Sequence, residues 1–282
     1  MPFIAYCKKI KFSDLANHNS AIDSDELCFL YKKNLLKKGK SYIKKFDNYF
    51  VFHKENFGTF EIYKNSIHYN LVEKFTDDVK LSICLNQPMA CNAYLNDFLV
   101  MHCSAFYYKN RSYLLLGESG LGKSTLLFHM LRYAKFITED IGVFDKYNHI
   151  YPSFPITKIA GEHLKGEFLK SKSKIPFDER GRYACKIDNK YFRREPAPVG
   201  GIFILNRCER ENISALSLTE KISAIYSSSL RLIENADNEY EEKFFKKASI
   251  LAKNQAFKIN IPFSEDATRT AKKLIQFLDK HL

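Results

Sequence analysis

Residues Gly117, Glu118, Ser119, Gly120, Leu121, Gly122, Lys123 and Ser124 fit the pattern G-x-x-x-x-G-K-[ST], and Thr125 comes next. Each residue type has a task at that spacing. Glycines let successive main-chain N–H groups turn in around anionic oxygens, because no Cβ blocks the approach. Lys123 reaches the outer phosphates as a point charge, and the Ser124 hydroxyl offers a ligand to Mg²⁺. The stretch from Gly117 to Thr125 is therefore expected to cradle the phosphates of a nucleoside triphosphate, with magnesium.

The flanking segments position this loop. "SYLLL" (Ser112–Leu116) is an apolar run of strand length, and Leu126, Leu127, Met130 and Leu131 fall on one face of a helix. That helix opens at Lys123 and aims its positive end at the phosphates. Upstream, "MHCSA" puts His102 on a strand that returns through a turn at Lys109-Asn110-Arg111. Downstream, "AKFITEDIGVFD" reads as a buried strand carrying an acid pair, Glu139 and Asp140. Phosphoryl transfer to a hydroxyl needs a neutralising metal, a held phosphate and a carboxylate to take the proton. Ser124 and one acid suit the metal, and the other acid suits the incoming hydroxyl.

Other users of such a loop are excluded by what is missing. "GGIFILN" (Gly200–Asn206) ends in an amide rather than the Asp-Glu of a transporter-type ATPase, and no Ser-Gly-Gly signature is present. "NKYF" (Asn189–Phe192) lacks the acid that guanine recognition needs. The net charge of +12 is diffuse lysine without a nucleic-acid motif, so no specific nucleic acid partner is expected. Between Tyr151 and Gly200 eleven basic residues face six acidic ones, enough for a basic rim around a phosphate site or an acidic protein substrate. Seven cysteines without a C-x-x-C pair suit reduced thiols. With no secretory signal and no apolar stretch long enough to span a bilayer, a cytoplasmic protein off the membrane is expected.

Along the chain, the first forty residues are weakly patterned and "YKKNLLKKGK" (Tyr31–Lys40) reads as exposed. Alternation over Asn48–Lys54 and Gly58–Val72 predicts antiparallel strands around a Lys64-Asn65-Ser66 turn. Pro88 opens a short helix. "IYPSFPITKI" reads as coil or edge strand, and the polar stretch Leu164–Arg194 shows little periodicity. Helices are expected over Thr219–Leu232 and Asn238–Asn254, with a strand at Phe257–Pro262 between them and the C-terminal helix. That last helix is expected to be capped by Ser264, with Glu265 and Asp266 in its first turn and Ala267, Ala271, Leu274 and Leu278 as its buried stripe. A β-rich region over 1–90 succeeded by an α/β nucleotide domain over 91–282 is the expected organisation.

The order of His102, Ser104 and Ala105, then Gly117, Ser119, Gly120, Gly122, Lys123 and Ser124, then Glu139 and Asp140, resembles the catalytic domain of HPr kinase/phosphorylase and the HPr-kinase-related family. "PVGGIFILNR" (Pro198–Arg207) is similar to that family's late central strand, and the resemblance covers roughly residues 90 to 265. It implies an α/β phosphate-loop kinase domain of the HPr kinase/PEP carboxykinase-like type with a mixed sheet. It implies too that Glu139 accepts the hydroxyl's proton with His102 tuning its charge, and that Asp140 and Ser124 sit at the metal. Arg180, Arg182 and Lys186, in "FDERGRYACKID", fall where relatives grip phosphate and acceptor. The family usually has Asp at both acid positions. Glu139 adds a methylene, and a displacement of about 1 Å at a reacting group can cost on the order of 100-fold in rate, so the two roles can be exchanged.

Together these features read as an ATP- and Mg-dependent serine kinase acting on a protein or peptide, including ribosomally made peptides. Two alternatives stand beside it: a nucleotide-binding switch without transfer, and a kinase of free serine. Relatives are often hexamers, which leaves room for a homo-oligomer.

Overall fold

The computed structural model describes residues 3–5, 8–14, 26–35, 39–72, 80, 83–84, 86–161, 167–173, 181–229, 238–264 and 266–281. It is a mixed α/β fold with three sheets, two of which combine parallel and antiparallel pairing.

The first sheet holds β1 (Phe3–Ala5), β2 (Lys8–Asp14), β3 (Glu26–Tyr31), β4 (Tyr42–Lys45), β5 (Tyr49–Lys54), β6 (Gly58–Tyr63) and β7 (Ser66–Leu71), in the order β1-β2-β3-β7-β6-β5-β4. The meander β5–β6–β7 is antiparallel, as the alternation predicts. Two expectations fail nearby. The first forty residues supply three strands, and β3 lies parallel to both β2 and β7 with Leu27, Cys28, Phe29 and Leu30 buried. A strand covered on both faces reads as a continuous apolar run rather than an alternation, so its pattern is short and easily passed over. Leu35, inside the segment read as exposed, is buried as well.

Helix α1 (Gln87–Leu95), with Pro88 in its first turn, packs its buried Met89, Ala90, Cys91 and Ala93 into a core cluster shared with that sheet. The cluster also takes in Val100, Ile141, Val143 and Phe154 from beyond residue 90.

The second sheet contains β8 (Leu99–Met101), β9 (Ser104–Tyr108), β10 (Arg111–Leu116), β11 (Lys135–Thr138), β12 (Gly142–Phe144), β13 (His149–Tyr151), β17 (Ala197–Cys208), β18 (Asn212–Ala215) and β19 (Gln255–Pro262). Lys109 and Asn110, both at positive φ (44° and 66°), form the two-residue turn that folds β9 back on β10. β17 runs parallel to β10 on one side and to β19 on the other. Alternation along β10 sends Tyr113 and Leu115 to one face and Leu114 and Leu116 to the other. The first face is covered by α2 (Lys123–Met130) and α5 (Ala267–His281), the second by α3 (Leu218–Ser227) and α4 (Asn238–Leu251).

The helix ends differ from expectation. Ser217 and Glu220 form a capping box that starts α3, which stops at Ser227 rather than Leu232. α4 ends at Leu251 rather than Asn254. α5 begins after Asp266, whose carbonyl accepts from Thr270 N, instead of being capped by Ser264; Glu265 lies outside the described residues. Its Ala271, Leu274 and Leu278 are buried as the stripe predicts.

The third sheet corrects the aperiodic reading of Leu164–Arg194. β14 (Ile156–Ala160), β15 (Leu169–Lys172) and β16 (Arg182–Ile187) pair in the order β14-β16-β15. Ala184, Cys185 and Ile187 of β16 are buried on both sides of the strand, which erases a two-residue period.

Candidate active site

The loop between β10 and α2 is shaped by its neighbours. Gly117 has φ +135°, and a Cβ there would stand 2.9 Å from the main-chain oxygen of Leu205 on β17. Only glycine accepts both the dihedral and the approach. Gly122, at φ +93°, is the N-cap of α2, so the helix's free N–H groups open into the loop. Lys123 is buried, and its Nζ donates to the carbonyl oxygens of Gly117 (2.7 Å) and Glu118 (2.9 Å). Burial pushes the ammonium below its usual pKa, against the pull of Asp140.

The acid pair comes directly after β11, and its two members face different partners. Asp140 has φ +65°, a dihedral that turns it away from the line of the strand. Its carboxylate pairs with Lys158 of β14 at 2.5 Å, and Asn86 Nδ2 lies 3.5 Å from Oδ2. Burial raises the Asp140 carboxyl, but Lys158, by charge and hydrogen bond, together with His102 and Arg182, outweighs it and holds it below the usual carboxylate value. Glu139 Oε2 accepts from Lys158 N (2.8 Å) and from the Thr157 hydroxyl. Burial, with the charge of Asp140, pushes the Glu139 carboxyl up, opposed by Lys158, Ser124 and Thr157. Neighbouring acids driven in opposite directions are a common signature of divided roles.

His102, between β8 and β9, hydrogen-bonds through Nδ1 to the main-chain oxygen of Asp140 at 2.9 Å. A carbonyl can only accept, so Nδ1 carries the proton and Nε2 its lone pair in the neutral ring. Burial, then the charge of Lys123, lowers the His102 pKa and keeps that ring neutral near pH 7.

These groups border one cavity of about 760 Å³. Ser119, Gly120, Gly122, Lys123, Ser124 and Thr125 line it from the loop, and Asp140, His102, Lys158 and Arg182 line it too. Gly117, Glu118 and Leu121 shape the loop without lining the cavity, and Leu121 packs on the core under α2. Glu139 sits behind the wall. Lys186 lies opposite Ile156, at the other end of the β14–β16 pair from Arg182, and does not reach the cavity. Arg180 lies outside the described residues.

A magnesium ion fits the donors present. Mg²⁺ takes few protein ligands and completes its shell with water and phosphate oxygens. Glu139 Oε1 is buried and accepts no hydrogen bond of normal geometry, while the neighbouring Ser124 hydroxyl favours its charged form. With Ser124 and Asp140 nearby, that orphaned oxygen supplies the hard donor such an ion prefers. Among the described residues there is no cluster of three or more His, Cys, Asp or Glu side chains of the kind that binds a metal without substrate.

Several groups at the site are not legible in the loop motif. Lys158 pairs with Asp140 from a strand whose sequence, "ITKIA", gives only an alternation. Arg207 Nη2 is the nearest group, at 3.2 Å, to where a Gly122 Cβ would stand, while its Nη1 donates to Pro262 O. The N-terminal sheet contributes Ser41, Ile43, Phe52, Lys54 and Phe57 to the cavity wall. No nearby motif signals that contribution.

No family model matches the chain, and no curated protein does. Among solved structures, the Hpr(Ser) kinase/phosphatase from Coxiella burnetii aligns at 14% identity over 64% of this chain and 89% of that chain, with a TM-score of 0.33. An overlap of that size is too small for the likeness to bear on function. No helix among the described residues is long and apolar enough to cross a membrane.

Proposed function

We propose that the chain is an ATP- and Mg-dependent phosphotransferase that moves the γ-phosphoryl group to a serine hydroxyl of a protein or peptide. One observation carries this reading: Lys123, Ser124, Asp140 and His102 border a single cavity, which brings the loop of the phosphate motif and a charged carboxylate together. A site that only stored a nucleotide would need the loop but not the facing acid.

The residues divide the work between phosphate, metal and acceptor. Main-chain N–H groups from Gly120 to Thr125 and the Lys123 ammonium hold the phosphates. Ser124 and Glu139 would hold magnesium, which when bound would neutralise charge on the phosphate oxygens. Asp140 faces the cavity and receives the hydroxyl's proton. Glu139, turned towards Ser124 and Thr157, serves the metal side. This exchanges the roles that the family resemblance implies. The depressed pKa of Asp140 does not disqualify it, because phosphoryl transfer proceeds through a loose transition state in which orienting the nucleophile matters more than basicity. Lys158 fixes the Asp140 carboxylate, and Arg182 stands at the side of the cavity where transferred charge develops.

One observation favours a second reading, an ATP-dependent switch without transfer. The ion pair with Lys158 already occupies the Asp140 carboxylate. Incubating the protein with Mg-ATP and serine peptides, with free serine in a parallel arm, and tracking phosphorylated products by mass spectrometry separates the two. A phosphorylated species that disappears with Lys123→Ala and with Asp140→Asn supports transfer. Nucleotide binding with no phosphorylated product in either arm leaves the switch.

A further inference from the structure

The cavity has two chemically different walls. The loop itself is polar and cationic, with Ser119, Lys123, Ser124 and Thr125 on the cavity. The opposite wall comes from the N-terminal sheet and α1's approach: Ile43 on β4, Phe52 on β5, Phe57 in the β5–β6 turn, and Ile83. Phe52 and Ile83 are buried, and Ile43 and Phe57 pack against the same cluster as Ile141, which is next to Asp140 in the chain and also lines the cavity. Asn86 ties this wall to the Asp140 carboxylate. Apolar surface therefore lies beside the acid, where an acceptor's flanking groups would lie, and Phe128 of α2 and Ile159 of β14 add more next to the loop.

Charge adds a second, independent observation. Between residues 31 and 54 the sequence carries eight lysines and a single acid, Asp47. Of these lysines, Lys54 is exposed on the cavity wall with its Nζ 4.6 Å from the Phe57 ring centre, and Lys40 is exposed next to Ser41, which also lines the cavity; Lys44 lies on the face of β4 opposite Ile43. Ser41, whose hydroxyl accepts from Glu55 N at 3.0 Å, ties the start of this lysine band to the turn after β5. An apolar wall rimmed by lysines is complementary to a chain with an apolar residue and acidic neighbours.

We propose that the N-terminal sheet is the acceptor-reading element, and that the acceptor is an acidic peptide segment whose serine is flanked by an apolar residue. The apolar flank lies on Ile43, Phe52, Phe57 and Ile83, and the acidic residues run out past Lys54 towards Lys40. The inference rests on the transfer reading for the meaning of the cavity, but it is tested by binding alone.

The probe is a pair of fluorescent serine peptides that share a Leu-Ser core and carry either glutamates or lysines outside it. Their anisotropy is measured with the full chain in Mg-ADP. The glutamate peptide is expected to bind at least about tenfold tighter at low salt, with the difference shrinking as salt rises. The charge-reversed K40E/K54E variant, its folding checked by thermal midpoint, is expected to lose that preference, and replacing the peptide's leucine with serine should weaken binding further. Equal binding of the two peptides by the wild-type chain overturns the proposal. Tighter binding of a single-stranded oligonucleotide of matched charge also overturns it, and assigns the lysines to nucleic acid instead. A glutamate peptide that binds but is never phosphorylated on exchange to Mg-ATP sinks the transfer reading and leaves the recognition surface standing. Peptides phosphorylated without regard to charge do the reverse.

Discussion

His102 Nδ1 donates to the main-chain oxygen of Asp140 at 2.9 Å, so the histidine is tied to the backbone of the acid and not to its carboxylate. The bond holds the left-handed turn at Asp140 in place and leaves Nε2 as the acceptor of the neutral ring. His102 thus acts on the acid as a neutral brace.

That arrangement fixes a sign for pH dependence. Burial lowers the His102 pKa in the folded chain, so the unfolded chain binds the proton more readily. The stability that depends on a neutral ring is intact above the unfolded value, about 6.5, and is lost as pH falls from there through the folded value. Thermal midpoints measured across that range should fall more steeply for the wild-type chain than for His102→Asn. Transfer should weaken over the same interval.

On the proposed transfer reading, Asp140→Asn would remove the proton acceptor and leave the phosphate cradle. Transfer should drop by about 10²–10⁴-fold while calorimetric nucleotide affinity changes little. Lys158→Met has a subtler effect. Without the ammonium, burial dominates and the Asp140 carboxyl rises, so the acid side of the pH–rate profile should move to higher pH. An unmoved acid limb would mean that Lys158 is structural only.

Glu139→Gln should trade function for stability. Burial and the adjacent Asp140 raise the Glu139 carboxyl, so its ionisation costs stability at neutral pH, and that cost vanishes as pH falls below the unfolded value near 4.5. A glutamine still accepts from Thr157 and Lys158 N. The variant should melt higher by about 2 °C or more at pH 7 to 8, with the gain shrinking towards pH 5, and should lose magnesium-dependent transfer.

Two loop variants separate charge from shape. Lys123→Ala should weaken nucleotide binding by roughly 10- to 100-fold, the range of a charge-assisted hydrogen bond lost at the phosphates. Gly117→Ala forces a Cβ to within 2.9 Å of Leu205 O at φ +135°, and should cost about 1–3 kcal/mol in denaturant unfolding.

Local chemistry was legible in the sequence wherever it is written in neighbouring residues. The phosphate loop, the strand before it, α2's buried stripe and the acid pair after β11 each announce themselves through spacing. What escaped was set by distant chain. Lys158 becomes part of the site only because β14 passes beside Glu139, and a lysine on an alternating strand looks like any surface lysine. The N-terminal wall escaped for the same reason, since Phe52 reads as an ordinary strand residue and Ile43 falls between the segments that the pattern marks, until the sheet is laid against Ile141. β16 was missed because burial on both sides removed its period.

The parallel pairing of β10 with β17 also bears on synthesis. Ser112 meets Val199 and Leu116 meets Ile204, so the strand that presents the phosphate loop finds its partner more than eighty residues later in the chain. During translation the loop leaves the ribosome long before the segment that seats Gly117 against Leu205. A nascent chain halted before β17 is complete would carry the whole motif yet have no place to bind nucleotide.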